Sequence, residues 1–172
     1  MNVPQKLINC KVYNNNKDLI GIADVDLPKL EPMTDTVKGA GVAGEIDDPV
    51  LGHYKSMDMT VKFRDLSPES AELASQSSKT LDFRAASQIY DSGTGEYKVR
   101  AVKVVARGVP KGYELGKADP GKPTDTTVHL EVNYIKVDID GKNVLEIDKY
   151  NFISKVNGTD YLAGVRDALG MV

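Results

Sequence analysis

The sequence lacks tryptophan and contains one cysteine, two histidines and three phenylalanines among its 172 residues. The single cysteine, Cys10, cannot form an internal disulfide. Together with His53 and His129 it supplies too few soft or borderline ligands for a structural zinc site, which usually needs about four. The sequence therefore predicts no disulfide, no metal site and no cofactor.

No apolar run approaches the ~18 residues of a membrane-spanning helix, so stable membrane insertion of the monomer is not expected. The first residues, MNVPQKLINCKVYNNNK, show neither the apolar segment nor the cleavage site of a secretory signal, which predicts synthesis in the cytoplasm. A basic excess is also missing, because 22 basic residues face 25 acidic ones. Direct binding of duplex nucleic acid is therefore not expected. The length and a hydrophobic fraction of 41% predict one globular domain over residues 1–172.

Alternation of apolar and polar residues is the clearest pattern that the chain does contain. It runs through Ser56–Arg64 and again through Thr127–Tyr134, and a period of two is typical of a strand with one buried face. The residues predicted to face the core are Met57, Met59, Val61, Phe63, Val128, Leu130 and Val132.

Two hairpins follow from turn composition. Leu81–Tyr90 and Tyr97–Arg107 are joined by Ser92–Gly95, and Asp140-Gly141 suits a tight turn after a further strand. The sequence thus predicts a mainly β fold: an antiparallel β-sandwich or barrel-forming sheet with one or two short helices. The helices are predicted at Pro68–Gln76, after an N-cap serine, and from Thr159 to Leu169.

The apolar positions change phase inside two of these strands. They move from odd to even numbers after Ala101, and from even to odd numbers after Tyr134. Either a β-bulge causes each change, or one long strand buries one face in its own core and the other face against something else. The stretch from Thr126 to Ile139 would span roughly 46 Å at ~3.3 Å per residue, so it predicts a sheet that outgrows its domain.

Two long segments without periodicity, Glu31–Tyr54 and Val109–Asp125, are predicted to be irregular loops. The first contains Gly39–Gly44, which matches the dinucleotide fingerprint G-x-G-x-x-G, but no buried strand precedes it and no helix follows it. Gly116–Lys122 resembles a phosphate-binding loop, but Pro123 replaces the hydroxyl residue that would bind magnesium. No enzyme signature survives, and the sequence predicts a protein that is not an enzyme.

Five short segments, in this order along the chain, carry a resemblance to a known family: Leu27–Leu30, Lys38–Gly41, Asp140–Lys142, Leu145–Asp148 and Lys155–Gly158. With these segments the sequence resembles the major tail tube proteins of contractile-tailed bacteriophages and of the related phage-tail-like R-type bacteriocins. The resemblance implies hexameric rings whose inner sheets join into one continuous β-barrel around a channel. It also implies that the rings stack into a tube inside a contractile sheath.

The function that the resemblance implies is structural. The tube would conduct DNA in a phage, or pierce a membrane in a bacteriocin, as part of a virion tail or an extracellular phage-tail-like particle. The implied partners are further copies of the chain, the tail sheath protein, and the tape measure, baseplate and tail terminator proteins, with DNA only in transit. The alternative is a soluble β-sandwich module that binds a ligand or carbohydrate, although such a module favours exposed aromatic rings, and this chain has eight tyrosines and no tryptophan.

Two sets of site residues are predicted within this framework. An assembly loop at 31–54 is expected to reach a neighbouring subunit, and its residues are Lys38, Gly39, Ala40, Gly41, Gly44, Asp47 and Asp48. A polar channel wall is expected from the strand faces opposite the core, with the candidates Asp58, Thr60, Asp82, Gln88, Thr127, Glu131 and Asn133. The cations that follow the same strands are expected to pair with carboxylates on adjacent strands or to face other subunits: Lys62, Arg84, Lys98 and Arg100.

Overall fold

The computed structural model describes residues 1–171. The strands of this part of the chain are β1 (Asn2–Asn14), β2 (Lys17–Asp18), β3 (Ile22–Asp26), β4 (Pro32–Lys38), β5 (Glu45–Tyr54), β6 (Asp58–Phe63), β7 (Lys79–Asp91), β8 (Glu96–Glu114), β9 (Thr126–Ile139), β10 (Lys142–Asp148), β11 (Ile153–Val156) and β12 (Thr159–Asp160). The helices are α1 (Pro68–Leu73) and α2 (Ala163–Ala168). The predicted range 1–172 ends on Val172, which lies outside the described residues.

All strand pairs are antiparallel, as predicted, and they form a ten-stranded sheet and a separate two-stranded sheet of β4 and β5. The order through the large sheet is β12-β11-β10-β9-β8-β7-β1-β2, and β3 joins it through β6. Strand β9 is the branch point. One of its edges pairs with β8, and its other edge pairs first with β6 and then with β10.

The core-facing residues predicted on β6 and β9 are confirmed. Met57, Met59, Val61 and Phe63 are at most 1% exposed, and Val128, Leu130 and Val132 are at most 2% exposed. They form one cluster with side chains from β1, β7, β8, β10 and α1, which means that the sheet curls around a common interior. Burial of this apolar surface is the main favourable contribution to folding.

The two phase changes have different causes, one for each of the explanations that the sequence left open. In β9 the cause is a bulge, because the pairing with β8 passes from Tyr134 to Val132 and leaves Asn133 without a partner. In β8 the pairing with β7 runs without interruption from Glu96 to Gly108. The odd-numbered residues of β8 simply lie on the other face of the sheet, where Tyr97 and Val99 are both 68% exposed.

Helix α1 begins as predicted, with Ser67 as N-cap and Pro68 in the first turn. Ser67 and Ser70 exchange hydrogen bonds between their side chains and backbone N–H groups in a capping box. Both helices are shorter than predicted, since α1 ends at Leu73 instead of Gln76. Thr159 and Asp160 pair with β11 as β12, and α2 begins only at Ala163.

The prediction of irregular structure at Glu31–Tyr54 is wrong in conformation. Most of this segment is the β4–β5 hairpin, and only residues 39–44 form its connecting loop. Apolar and polar residues alternate where a strand has one buried face. This hairpin has no buried face, so its sequence shows no such alternation. Residues 109–114 of the second segment also belong to β8. A register shift between Pro110 and Gly112 accommodates the proline, which cannot donate to the ladder.

Candidate assembly surfaces

The β4–β5 hairpin is exposed on both faces. Val37 pairs with Ile46 near its tip, and both side chains are exposed. The ladder is held by polar contacts, since Thr36 donates to Asp47 at 3.0 Å and Lys38 lies 3.8 Å from Glu45. Exposed ion pairs of this type contribute little to stability. The hairpin therefore presents apolar side chains that the monomer itself does not cover.

Two carboxylates face each other across the same hairpin. Asp35 is the direct partner of Asp48, and within residues 1–171 neither carboxylate forms an ion pair with a basic side chain. Like charges directly opposite each other destabilise a strand pair. This arrangement makes the hairpin a surface on which a basic group from another molecule would relieve repulsion.

A second projecting region consists of β1 and the β7–β8 hairpin beyond the core, and we call it the arm (residues 2–8, 86–91 and 96–101). Its exposed apolar side chains are Leu7, Ile8, Tyr97 and Val99. The end of β1 is fastened to the β7–β8 turn, because Ser92 N–H donates to the Met1 carbonyl at 3.0 Å. The arm is thus an ordered sheet with apolar groups on its surface.

The candidate channel-wall residues lie on the side of the sheet opposite the core, with one exception. Asp58 and Thr60 of β6, Asp82 and Gln88 of β7, and Thr127 and Glu131 of β9 alternate with core residues. The exception is Asn133, which is the bulged residue. The register places Asp58 directly opposite Glu131, whereas Asp82 and Gln88 lie farther along the sheet.

Lys111 is a residue of this polar side that the sequence analysis missed. Its Nζ contacts Asp58 and lies 2.8 Å from Glu131. These hydrogen bonds, that to Asp58 above all, raise the pKa of Lys111. Burial opposes ionisation of Glu131, but hydrogen bonds from Lys111 and Ser56 outweigh it and hold the pKa of Glu131 below its ordinary value. Only the register shift at Pro110 brings Lys111 to this position, and no sequence pattern indicates that shift.

All four cations expected to be paired have a carboxylate partner. Lys62 approaches Asp24 on β3, Lys98 lies 2.6 Å from Asp91 on β7, and Arg100 approaches Asp140 in the turn after β9.

Arg84 differs from the prediction, because its partner Asp82 lies on its own strand, at 2.8 Å. Its guanidinium also stacks on Tyr13, with 5.3 Å to the ring centroid. Lys62 and Arg84 lie on the polar side of the sheet and are neutralised there, whereas Lys98 and Arg100 are even-numbered residues of β8 and lie on the face of the core residues.

A shallow groove of about 630 Å³ crosses this polar side between β1, β7, β8 and β9. Ala86, Val99 and Ala101 line it together with Cys10 and Lys103. In residues 1–171 no group of three or more histidine, cysteine or carboxylate side chains comes together in a geometry that could hold a metal ion. Among the same residues, no helix has the length and apolar character needed to cross a membrane.

Comparison with known proteins identifies relatives that match almost the whole chain. The family model of phage tail tube protein FII matches residues 4–170. The tail tube protein of Escherichia phage P2 is 32% identical, over 99% of this chain and 100% of its own length. The major tail tube protein of Serratia phage KSP20 is 28% identical, over 99% of both chains.

The fold has a counterpart in a solved structure. One chain of the cryo-EM structure of the sheath/tube terminator of an extracellular contractile injection system, PVC, in its extended state superposes with a TM-score of 0.53. The superposition covers 76% of this chain and 94% of that chain at 11% sequence identity, so it bears on the fold alone.

These relatives confirm the resemblance at the level of the family, and they give no support to the alternative of a ligand- or carbohydrate-binding module. The family match spans both projecting regions as well as the core. The chain belongs to the phage tail tube protein FII family, and it is a structural protein of a tail tube.

Proposed function

We propose that six copies of this chain form a ring and that the rings stack into the inner tube of a contractile tail or injection machine. The observation that carries the proposal is the arm, an ordered part of the sheet whose apolar side chains extend past the core that β6 and β9 enclose. Exposed apolar residues on a rigid surface mark a place where another protein binds.

The free edge of β1 supports contact through the sheet itself. Strand β2 pairs only with Tyr13 and Asn14, so the outer edge of β1 from Asn2 to Val12 pairs with no strand in the described chain. A long unpaired edge is a template for pairing with another chain, and closure into a barrel removes such edges. Pairing between neighbouring copies along this edge would give the continuous inner β-barrel.

The β4–β5 hairpin supplies a second contact. Its loop residues Lys38 to Gly44, and Asp47 and Asp48 beside them, would reach a neighbouring copy, where Val37 and Ile46 would be covered. A basic group of that copy would neutralise the opposed Asp35 and Asp48. The hairpin would take the role that the sequence analysis predicted for an assembly loop.

Outside the arm, the polar side of the sheet would line the channel. Its carboxylates and cations are largely paired, and a neutralised, hydrated wall avoids the many Lys/Arg–phosphate contacts that hold DNA tightly. DNA would thus pass through the tube without binding stably. In a DNA-free particle the same tube would be driven through a membrane.

The partners in this proposal are further copies of the chain, a tail sheath protein around the tube, and tape measure, baseplate and tail terminator proteins along and at the ends of it. The chain would be made in the cytoplasm of the bacterial host and would end in the virion tail. It would act mechanically and would catalyse no reaction.

Deletion of residues 38–44 tests the role of the hairpin. A Thr-Asn-Gly segment in their place would keep β4 and β5 in register, with the threonine opposite Glu45, since Asn-Gly suits a two-residue hairpin turn. We expect a folded protein, by circular dichroism, that no longer sediments as tubes under conditions where the unmodified chain does. Normal tubes from the shortened chain would contradict the proposed contact.

A further inference from the structure

The β4–β5 hairpin meets the rest of the molecule at an irregular stretch of β5. Pro32 pairs with Tyr54, but Thr34, two residues farther on, pairs with Pro49. Residues 50–53 of β5 thus form a bulge of four residues opposite Met33 alone. His53 Nδ1 donates to the Leu51 carbonyl at 2.7 Å within this bulge. Bulges bend a strand and change its direction, so residues 50–53 form the joint between the hairpin and the body.

Gly52 is the residue of this joint whose backbone packs against Leu162 of the body. A Cβ atom at position 52 would lie 2.5, 2.7 and 2.9 Å from the Cγ, Cδ2 and Cδ1 atoms of Leu162. Real Cβ atoms do not approach other carbons so closely. The backbone of Gly52 also has φ = +64°, a conformation that glycine adopts without strain. The backbone of the hairpin at Gly52 therefore packs directly against the buried side chain of Leu162.

Leu162 is held in place from several directions. Its side chain is 3% exposed, and its N–H donates to Asp160 Oδ1 at 3.1 Å. Arg166 donates to Asp160 Oδ2 at 2.6 Å and to the Phe152 carbonyl at 2.6 Å. The hydrogen bond from Arg166 lowers the pKa of Asp160, which keeps this carboxylate charged and the contact intact near neutral pH. Leu162 is thus a fixed support, whereas the hairpin beyond the bulge is exposed.

We infer that Gly52 is a positioning residue, which sets the angle of the β4–β5 hairpin through its contact with Leu162 and thereby aims the hairpin tip at the neighbouring copy. The inference rests on the proposed contact between the hairpin and that copy. At ~3.3 Å per residue the strand from Gly52 to Glu45 is about 23 Å long, so a rotation of about 10° at Gly52 moves the tip by about 4 Å. A shift of this size removes van der Waals contacts and hydrogen bonds at the tip.

The substitution Gly52→Ala tests the inference, with Gly121→Ala as its matched control. Gly121 has a similar φ of +82°, but a Cβ there would meet nothing within 4 Å. Both variants carry comparable backbone strain, and only the first collides with Leu162. We expect Gly52→Ala to fold and to form tubes about tenfold less efficiently than Gly121→Ala, as measured by sedimentation and negative-stain microscopy. Equal assembly of the two variants would overturn the inference.

The substitution Leu162→Ala provides a rescue, because it removes all three atoms that the new methyl group would meet. In the Leu162→Ala background, Gly52→Ala should impair assembly no more than Gly121→Ala does. An undiminished defect in that background would mean that backbone strain, and not the contact with Leu162, causes it.

The hairpin angle can also be measured without assembly. Spin labels on Ala40→Cys and Tyr150→Cys, in a Cys10→Ser background, report the distance from the hairpin tip to the body in the dilute monomer. Gly52→Ala should shift or broaden this distance by about 4 Å, and Gly121→Ala should leave it unchanged. If Leu162 instead rotates into the cavity beside it, which Gly52, Phe152 and Ile153 also line, the distance stays constant and the inference fails. Normal tubes after deletion of residues 38–44, by contrast, would refute the proposed hairpin contact itself.

Discussion

Val61 and Val99 belong to the same sheet, yet they lie in regions with opposite physical character. Val61 in β6 is 0% exposed inside the core, whereas Val99 in the arm is 68% exposed on the polar side of the sheet. Burial of the first is already complete in the monomer, while burial of the second requires another molecule. The comparison suggests that the core determines whether the chain folds, and that the arm and the β4–β5 hairpin determine whether the folded chain assembles.

The largest expected effect is that of Val61→Asp. An unpaired charge in the core costs several kcal/mol, comparable with the ~5–15 kcal/mol that stabilises a typical domain. We expect the variant to be unfolded or aggregated, with no cooperative thermal transition by circular dichroism. The same outcome is expected for Leu130→Asp on the neighbouring strand. A folded Val61→Asp monomer would show that Val61 does not face the core.

The matched substitution Val99→Asp should spare the fold and affect assembly. At an exposed position we expect a change in unfolding free energy of about 0.5 kcal/mol or less, measured by urea denaturation. Tube formation should fall sharply, because the charge would have to be buried without a partner in the interface. Tubes formed as readily as by the unmodified chain would show that the arm surface stays exposed after assembly.

Lys111→Ala should have a smaller effect on the free energy of unfolding. The dependence of this effect on pH shows whether the charge of the lysine causes it. The variant leaves Asp58 opposite Glu131 without their shared cation, which should cost about 0.5–1 kcal/mol at pH 7. The pKa of Glu131 lies below its ordinary value of 4.5 in the folded chain. The stability from this ion pair is thus present above pH 4.5 and is lost as the pH falls through the lowered pKa.

The stability difference between Lys111→Ala and the unmodified chain should therefore shrink between pH 7 and about pH 4 in urea denaturation. Lys29→Ala is the control, because Lys29 approaches Glu31 on the exposed base of the hairpin. It should change stability by a few tenths of a kcal/mol at most. An equal loss for Lys111→Ala at both pH values would mean that packing of the lysine stem, and not charge, is its contribution.

The core could be predicted from the sequence because one-sided burial leaves a period of two in β6 and β9. The same reasoning identified the cap of α1, since Ser67-Pro68 is a local signal that requires no tertiary contact. It was also enough to expect a sheet longer than its core, because the stretch from Thr126 to Ile139 is much longer than an ordinary strand. These features depend on residues that are near each other in the chain.

The other features of the fold and of the proposed assembly surfaces depend on strand pairings and contacts that no local sequence pattern indicates. The β4–β5 hairpin has no buried face, so Asp35, Val37 and their partners show no alternation. The bulge at residues 50–53 becomes visible only when Gly52 meets Leu162, more than a hundred positions away in the chain. Lys111 likewise joins Asp58 and Glu131 through a register shift. The conformation of the proposed assembly segment was therefore wrong in prediction, and its role in assembly stays a prediction.

Cryo-electron microscopy of the chain at high concentration shows whether the chain assembles and which surfaces it uses. We expect tubes of stacked six-membered rings in which the outer edge of β1 pairs with a neighbouring copy, the hairpin contacts another copy, and Asp58, Asp82 and Glu131 face the channel. A channel lined by unpaired lysine and arginine side chains would contradict the proposed wall. Tubes in which the arm and the hairpin remain exposed would contradict the proposed contacts between copies. Dispersed monomers at every concentration would contradict the proposed assembly itself.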